Sequence, residues 1–142
     1  VEGVQSGEYL VINRCWDDGD VVQIDLDMSL HYWIGELECV GKVSAYRGPV
    51  LLTYDRRFNE MNPDNVPVLD ASNLTGHLVS TDDYTIKPDI LLEFTGKDGR
   101  KIHLCDFASA GEAGSPYMSW LVIHNVGGTG FSRSNPLRSS RL

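Results

Sequence analysis

Cysteine is scarce in this chain, and the few that occur lie far apart. Cys15, Cys39 and Cys105 are the 3 cysteines of 142 residues, and no CxxC pair is present. An odd, dispersed set is not a disulfide framework, and it lacks the paired spacing of a structural zinc site. Long apolar runs are missing as well. The longest, such as Tyr9–Ile12, have four residues, whereas a membrane-spanning helix needs about 20. No stretch repeats apolar residues at helical spacing, and no internal repeat is found. Basic charge is the third shortage. The 12 Lys and Arg stand against 20 Asp and Glu, a formal net charge of −8. An acidic surface repels phosphate backbones, so neither nucleic acid nor a membrane is expected as a partner. Residue 1 is Val, with no basic-plus-apolar leader. That start reads as a fragment or a processed chain, and it leaves the compartment open.

What is present suits one β-rich domain. The hydrophobic fraction is 42%, enough for one sizeable core. In VVQIDLDMSL, Val22, Ile24, Leu26, Met28 and Leu30 alternate with polar residues. Alternation at period two predicts a strand with one wet face, so these apolar residues are expected in the core and Asp25 and Asp27 outside. Asp18-Gly19, between GEYLVINRCW and this run, is a hairpin signal. Further strands are expected over about 36–46 and 50–54, in VPVLD and LTGHLVST, and in YMSWLVIHNV. IKPDILLEFTGKDGRKIHLCDF reads as a hairpin turning at Lys97-Asp98-Gly99-Arg100. Gly48-Pro49 interrupts one β-rich stretch. Pro cannot donate to a ladder and Gly marks bends, so residues 46–52 are expected to be one strand bent or switched at its middle. Short strands with regular turn signals predict an all-β fold, an antiparallel β-sandwich or jelly-roll-like domain over residues 1–126. Residues 127–142 carry Arg133, Arg138 and Arg141 without acids and read as a flexible tail.

Candidate chemistry is sparse, and each candidate has a plain structural reading beside it. The five Asp of residues 17–27 suggest calcium, but their spacing is not that of an EF-hand loop. A turn and a wet strand face account for them. His103 and Cys105 share one strand face. Two ligands do not close a metal site, and a Cys–His nucleophile needs hydrogen-bond reach and an orienting group. No metal or cofactor is therefore expected. SAGEAGS, residues 109–115, lacks the spacing of a phosphate loop and precedes a strand. It reads as a loop packed closely on another surface. Asn73-Leu74-Thr75 is a glycosylation sequon, informative only in a secreted chain. Trp16, Trp33 and Trp120, with Tyr32 and Tyr117, offer a stacking platform for sugar rings. Trp16 and Trp120 read as core residues, which leaves Trp33 as the exposed one.

Taken in order, three pieces of wording carry a resemblance: Trp16 followed by Gly19-Asp20, then Met28, then Arg47-Gly48-Pro49 in YRGPVLLTYDRRFN. The run YLVINRCWDDGDVVQIDLDM through that segment, roughly residues 7–58, resembles the β-sandwich region of β-L-arabinofuranosidase-like glycoside hydrolases, family 127 and relatives. DGRKIHLCDFASAGEAGSPYMSWL is similar to later portions of some relatives. The family joins an (α/α)6 catalytic barrel to β-sandwich domains and uses a cysteine nucleophile in a zinc cluster of one glutamate and three cysteines. This chain matches the sandwich and none of the barrel, and its isolated cysteines do not fit the cluster. The resemblance thus implies a non-catalytic accessory domain, with sandwich strands upstream and the barrel as partner. The alternative is an autonomous carbohydrate-binding module. Trp33, Arg47 and Asp106 are the residues expected to contact glycan or barrel. Arg47 is expected to give its planar fork to carbonyls or a carboxylate near the Gly48-Pro49 bend, either within this domain or at the interface with the barrel.

Overall fold

The computed structural model describes Gln5 and residues 8–125. The tail expected over 127–142 lies outside them, as does the side chain of Asn73 in the sequon. Among the described residues ten strands form in chain order: β1 Leu30–Ile34, β2 Val43–Arg47, β3 Val50–Asp55, β4 Leu69–Asp70, β5 His77–Leu78, β6 Leu91–Thr95, β7 Lys101–Asp106, β8 Tyr117–Met118, β9 Trp120–Leu121 and β10 Ile123–His124. The helical elements among the described residues are single 3-10 turns of three residues. The expected all-β antiparallel class is found. The main sheet runs β1-β2-β3-β7-β6-β5, curls as a half-barrel, and takes β8 onto β3 and β9 onto β2. β10 and β4 form a separate parallel pair.

The inner face of the curl holds the main core. Tyr32, Val43 and Ala45 come from β1 and β2, and Leu52, Tyr54, Leu92, Phe94, Ile102 and Leu104 from the β3-β7-β6 half. Leu69, Ala71, Leu74, Leu121 and Ile123 fill the concavity from the segments around β4, β9 and β10. A second, smaller cluster of Phe58, Leu91 and Cys105 lies on the opposite face of β6 and β7, covered by Val79, Tyr84 and Ala110. The β6–β7 hairpin forms as its sequence predicts. Gly99 takes φ +83° in the turn, and the Gly96 amide donates to Arg100 O at 2.8 Å.

Gly48-Pro49 turns the chain back rather than bending one strand. Arg47 pairs with Val50, and Tyr46 with Leu51, so these two residues are the loop of a tight β2–β3 hairpin. Gly48 has φ +56°, and a glycine first with a negative-φ proline second is the pattern of a type II′ turn. Glycine is also required by space. A Cβ on Gly48 would lie 2.6 Å from Met28 Sδ and 2.9 Å from Asp27 O. Beyond the turn β2 and β3 diverge. β9 pairs with Val43 and Ser44 of β2, while β8 pairs with Tyr54 and Asp55 of β3. The C-terminal strand expected over YMSWLVIHNV is therefore three short pieces with three different partners.

The largest departure is at residues 9–28. The Asp18-Gly19 turn forms, with Asp20 N donating to Asp17 O at 3.1 Å and Gly19 at φ +91°. No ladder flanks it, and the apolar side chains expected in the core stand exposed: Val22 by 50%, Ile24 by 72%, Leu26 by 60% and Met28 by 38%. The physical reason is that alternation specifies an apolar face without supplying its cover. β1, the edge strand that follows this segment, pairs with β2 alone, and residues 9–28 add no ladder to its other side. Strand structure begins only at Leu30. Residues 36–42, expected in a strand, instead make a turn in which the Gly35 amide donates to Lys42 O at 2.8 Å.

Candidate functional site

The three side chains expected at a binding surface do not meet. Trp33 points to the outer face of β1, since its neighbour Tyr32 is buried inward. There it tilts onto Tyr46 with ring centroids 5.1 Å apart, and His31 stacks on the same Tyr46 ring at 5.3 Å and 14°. The three rings line a recess of about 430 Å³ with Leu26, Asp27 and Pro49. Burial raises the Tyr46 phenol above its ordinary value of 10.0. Arg47 has the inward parity of Val43 and Ala45. Among the described residues its guanidinium has no hydrogen bond or ion pair, so the expected partner is not found within this domain, and a partner on a neighbouring barrel stays a proposal. Asp106 is buried at the far end of β7. Its carboxylate accepts from Ile90 N at 3.1 Å, Ser109 N at 2.9 Å and Ser109 Oγ at 2.8 Å. Those bonds hold the chain ends around β7 and leave Asp106 no role at the surface.

The other tryptophans also differ from expectation. Trp16 is 50% exposed beneath the Arg14 guanidinium, and Trp120 is 36% exposed. Tyr32, considered for the platform, is wholly buried in the main core.

The strongest polar centre is Asp55, which the sequence reading passed over. It ends β3 with no exposure at all. Its carboxylate accepts from Arg57 N at 2.8 Å, Gly111 N at 2.8 Å and Ser115 Oγ at 2.7 Å. The Arg57 side chain adds Nη2 at 3.1 Å and Nε at 3.2 Å to both oxygens. Burial alone pushes the Asp55 carboxyl up. Its bonds from Arg57, Ser115 and Gly111 outweigh burial and hold it below the ordinary 3.8. Arg57 also donates to Ser109 O and reaches Glu112 at 3.5 Å. The SAGEAGS loop is thus packed on β3, as expected, with Gly111 so close that a Cβ would sit 2.7 Å from the Tyr117 ring. A signal for this centre was present. Asp at a strand end, accepting from the amide two residues on, is an Asx turn. Its distant partners had no local sign.

Asn59 fixes the loop after β3. Its side-chain amide donates to Asp55 O at 2.7 Å and to His103 O at 2.9 Å, and accepts from His103 N at 2.8 Å. A side chain here stands in for a strand partner of β7. Between this loop and the start of β7 lies a groove of about 750 Å³ lined by Arg56, Phe58, Tyr84, Arg100, Lys101 and His103, among others. His103 turns Nε2 to Glu93 at 3.4 Å, and Glu93 also takes Lys101 Nζ at 2.8 Å. Lys101 chiefly holds the Glu93 carboxyl below its ordinary value.

Cys105 has the same outward parity as His103 but is fully buried. Desolvation, aided by Asp55 and Asp106, pushes its thiol up to about 12. It packs with Phe58 and Leu91 in the second core cluster. Among the described residues no group of three or more His, Cys, Asp or Glu converges to hold a metal ion. No family model, curated protein or solved structure matches this chain.

Proposed function

We propose that the chain is a non-catalytic accessory β-domain that docks on a larger neighbour. By its resemblance to the family 127 sandwich region, that neighbour is the helical catalytic barrel of a glycoside hydrolase. One observation carries the reading. Nine large apolar side chains between Tyr9 and Met28, in the segment that leads into β1, are exposed. Apolar surface concentrated in one segment marks an interaction face. Cys105, the cysteine that shares a strand face with His103, is buried in the second core cluster, which suits a domain that leaves chemistry to its neighbour.

The upstream reading frame tests this directly, because it should encode a helical barrel. The barrel expressed separately should bind the chain, and Ile24→Asp with Leu26→Asp should weaken that binding at least about tenfold. An upstream frame without a barrel, or binding indifferent to both substitutions, overturns the reading. So does turnover of aryl arabinofuranosides by the pure chain that disappears in Cys105→Ala.

The second reading is an autonomous carbohydrate-binding module, favoured by the His31, Trp33 and Tyr46 recess. Oligosaccharide titration followed by Trp fluorescence separates the two. A saturable change abolished by Trp33→Ala belongs to the module, and a bracing domain gives none.

A further inference from the structure

In a chain of net charge −8, cations are spent unevenly. Of its 12 Lys and Arg, Arg56, Arg57, Arg100 and Lys101 all line the 750 Å³ groove beside β7. Among the lining residues the one carboxylate is Glu60. Asp55, Glu93, Asp98 and Glu112, which pair with groove cations, are not part of the lining. The groove surface is therefore rich in donors and poor in acceptors.

The four cations are not equivalent. Arg57 is committed to Asp55 with 17% of its side chain exposed, and it is not available to a ligand. Arg56 is exposed and has no carboxylate partner among the described residues. One of its nitrogens donates to Asn59 O, which aims the guanidinium and leaves further N–H groups open. Arg100 is held by Asp98 at 2.6 Å with the two side chains 53% and 42% exposed. Lys101 is held by Glu93 at 2.8 Å, 57% and 29% exposed. Exposed pairs of this kind are weak and solvent-screened, so an incoming anion competes for them. Arg56 and Arg100 line the groove together with Tyr54. Phe58 and Tyr84, edge to face at 4.9 Å, supply an apolar wall beside the cations.

We propose that this groove binds a small ring-bearing oxyanion, with Arg56, Arg100 and Lys101 on the anionic group and the Phe58–Tyr84 wall against the ring. Planar guanidinium forks suit a carboxylate or a phosphate equally in charge, and a volume of about 750 Å³ admits one or two rings. The site is separate from the apolar face of residues 9–28 and does not depend on the accessory-domain reading.

The test is a titration of the full chain, labelled for amide and arginine side-chain resonances, with three ligands that share one ring. Glucuronate carries a carboxylate, glucose 6-phosphate a phosphate, and glucose neither. Saturable shifts at Arg56, Arg100, Lys101 and Tyr84 are expected with an anionic ligand, shrinking as salt rises. Response to glucuronate alone or to glucose 6-phosphate alone supports the proposal and names the anion. Arg56→Gln, at an exposed position, should weaken binding about fivefold or more. Asp98→Asn keeps an oxygen for the turn, frees Arg100, and should tighten binding about twofold or more. Equal response to glucose, no response to either anion, shifts confined to other regions, or unchanged affinity in both variants overturns the proposal.

Discussion

Replacing Asp55 by Ala should be among the most damaging single substitutions in the molecule. The carboxylate is wholly inaccessible and receives two backbone amides, one hydroxyl and the Arg57 guanidinium. Its removal strands Arg57, itself mostly buried, as an uncompensated cation, which costs about 3–5 kcal/mol. The orphaned Gly111 and Arg57 amides fall within that range when the SAGEAGS loop relaxes to admit water, and add to it when the loop stays closed. For a domain of this size about 4 °C of melting temperature accompanies each kcal/mol, so the variant should melt about 12–20 °C lower. Asp55→Asn keeps the shape but turns an NH2 group toward donors, and should cost about 2–4 kcal/mol. The same carboxylate sets an acid limit. Its folded-state value lies below 3.8, so its stabilisation is present above pH 3.8 and is lost as pH falls through the lower folded value. Urea denaturation of the parent, both variants and Arg57→Ala measures all of this. In the double variant Asp55→Ala with Arg57→Ala, the loss should be clearly smaller than the sum of the single losses. A loss below about 1 kcal/mol in Asp55→Ala, or strict additivity in the cycle, would refute the reasoning.

Three further outcomes can be checked with ordinary means. Leu26→Ala should change urea stability by no more than about 0.5 kcal/mol, because Leu26 is 60% exposed, while Leu104→Ala in the main core should cost about 2–5 kcal/mol. Gly48→Ala should cost about 1–3 kcal/mol, since φ is +56° and Asp27 O lies 2.9 Å from the new Cβ; a neutral result would remove the turn assignment. Thiol labelling at pH 8 should modify exposed Cys15 at once and native Cys105 at least about 100-fold more slowly, with mass spectrometry of digests assigning each site.

How much of this could be read from the sequence depended on where each residue's partners lie. The β6–β7 hairpin was legible because Lys97-Asp98-Gly99-Arg100 and the two alternating arms are contiguous. Ile102 and Leu104 face the main core by the parity their order implies. Gly48-Pro49 was recognised as a break, but its kind depends on Arg47 meeting Val50, a pairing that two residues cannot announce. At Asp55 only the turn to Arg57 N could be read locally, because Gly111 and Ser115 lie 56 and 60 residues away. Residues 9–28 show the opposite case, in which a strong local pattern was over-read. Val22, Ile24 and Leu26 alternate as well as any strand, yet alternation is only a demand for cover. Of the expected surface residues, Trp33 lines the recess with His31 and Tyr46. The cationic groove gathers Arg56, Arg100 and Lys101 from segments that look unremarkable apart.

The splayed β2–β3 hairpin has a consequence for how the molecule is made. Residues 117–124 supply partners to β3, β2 and β4 in quick succession. While a ribosome is still synthesising the middle of the chain, the edges at Val43–Ser44 and Tyr54–Asp55 have nothing to pair with. Leu121 and Ile123, which fill the concavity, also arrive last. Pairings over such sequence separations carry a large closure entropy and fold slowly. The β6–β7 hairpin can form early, but the curl closes only when β8, β9 and β10 come off the ribosome. Until then its unpaired edges and open apolar face resemble an aggregation-prone intermediate. Residues 117–124 are thus a latch for the whole fold, and a nascent chain that stalls before them exposes the surface that chaperones recognise.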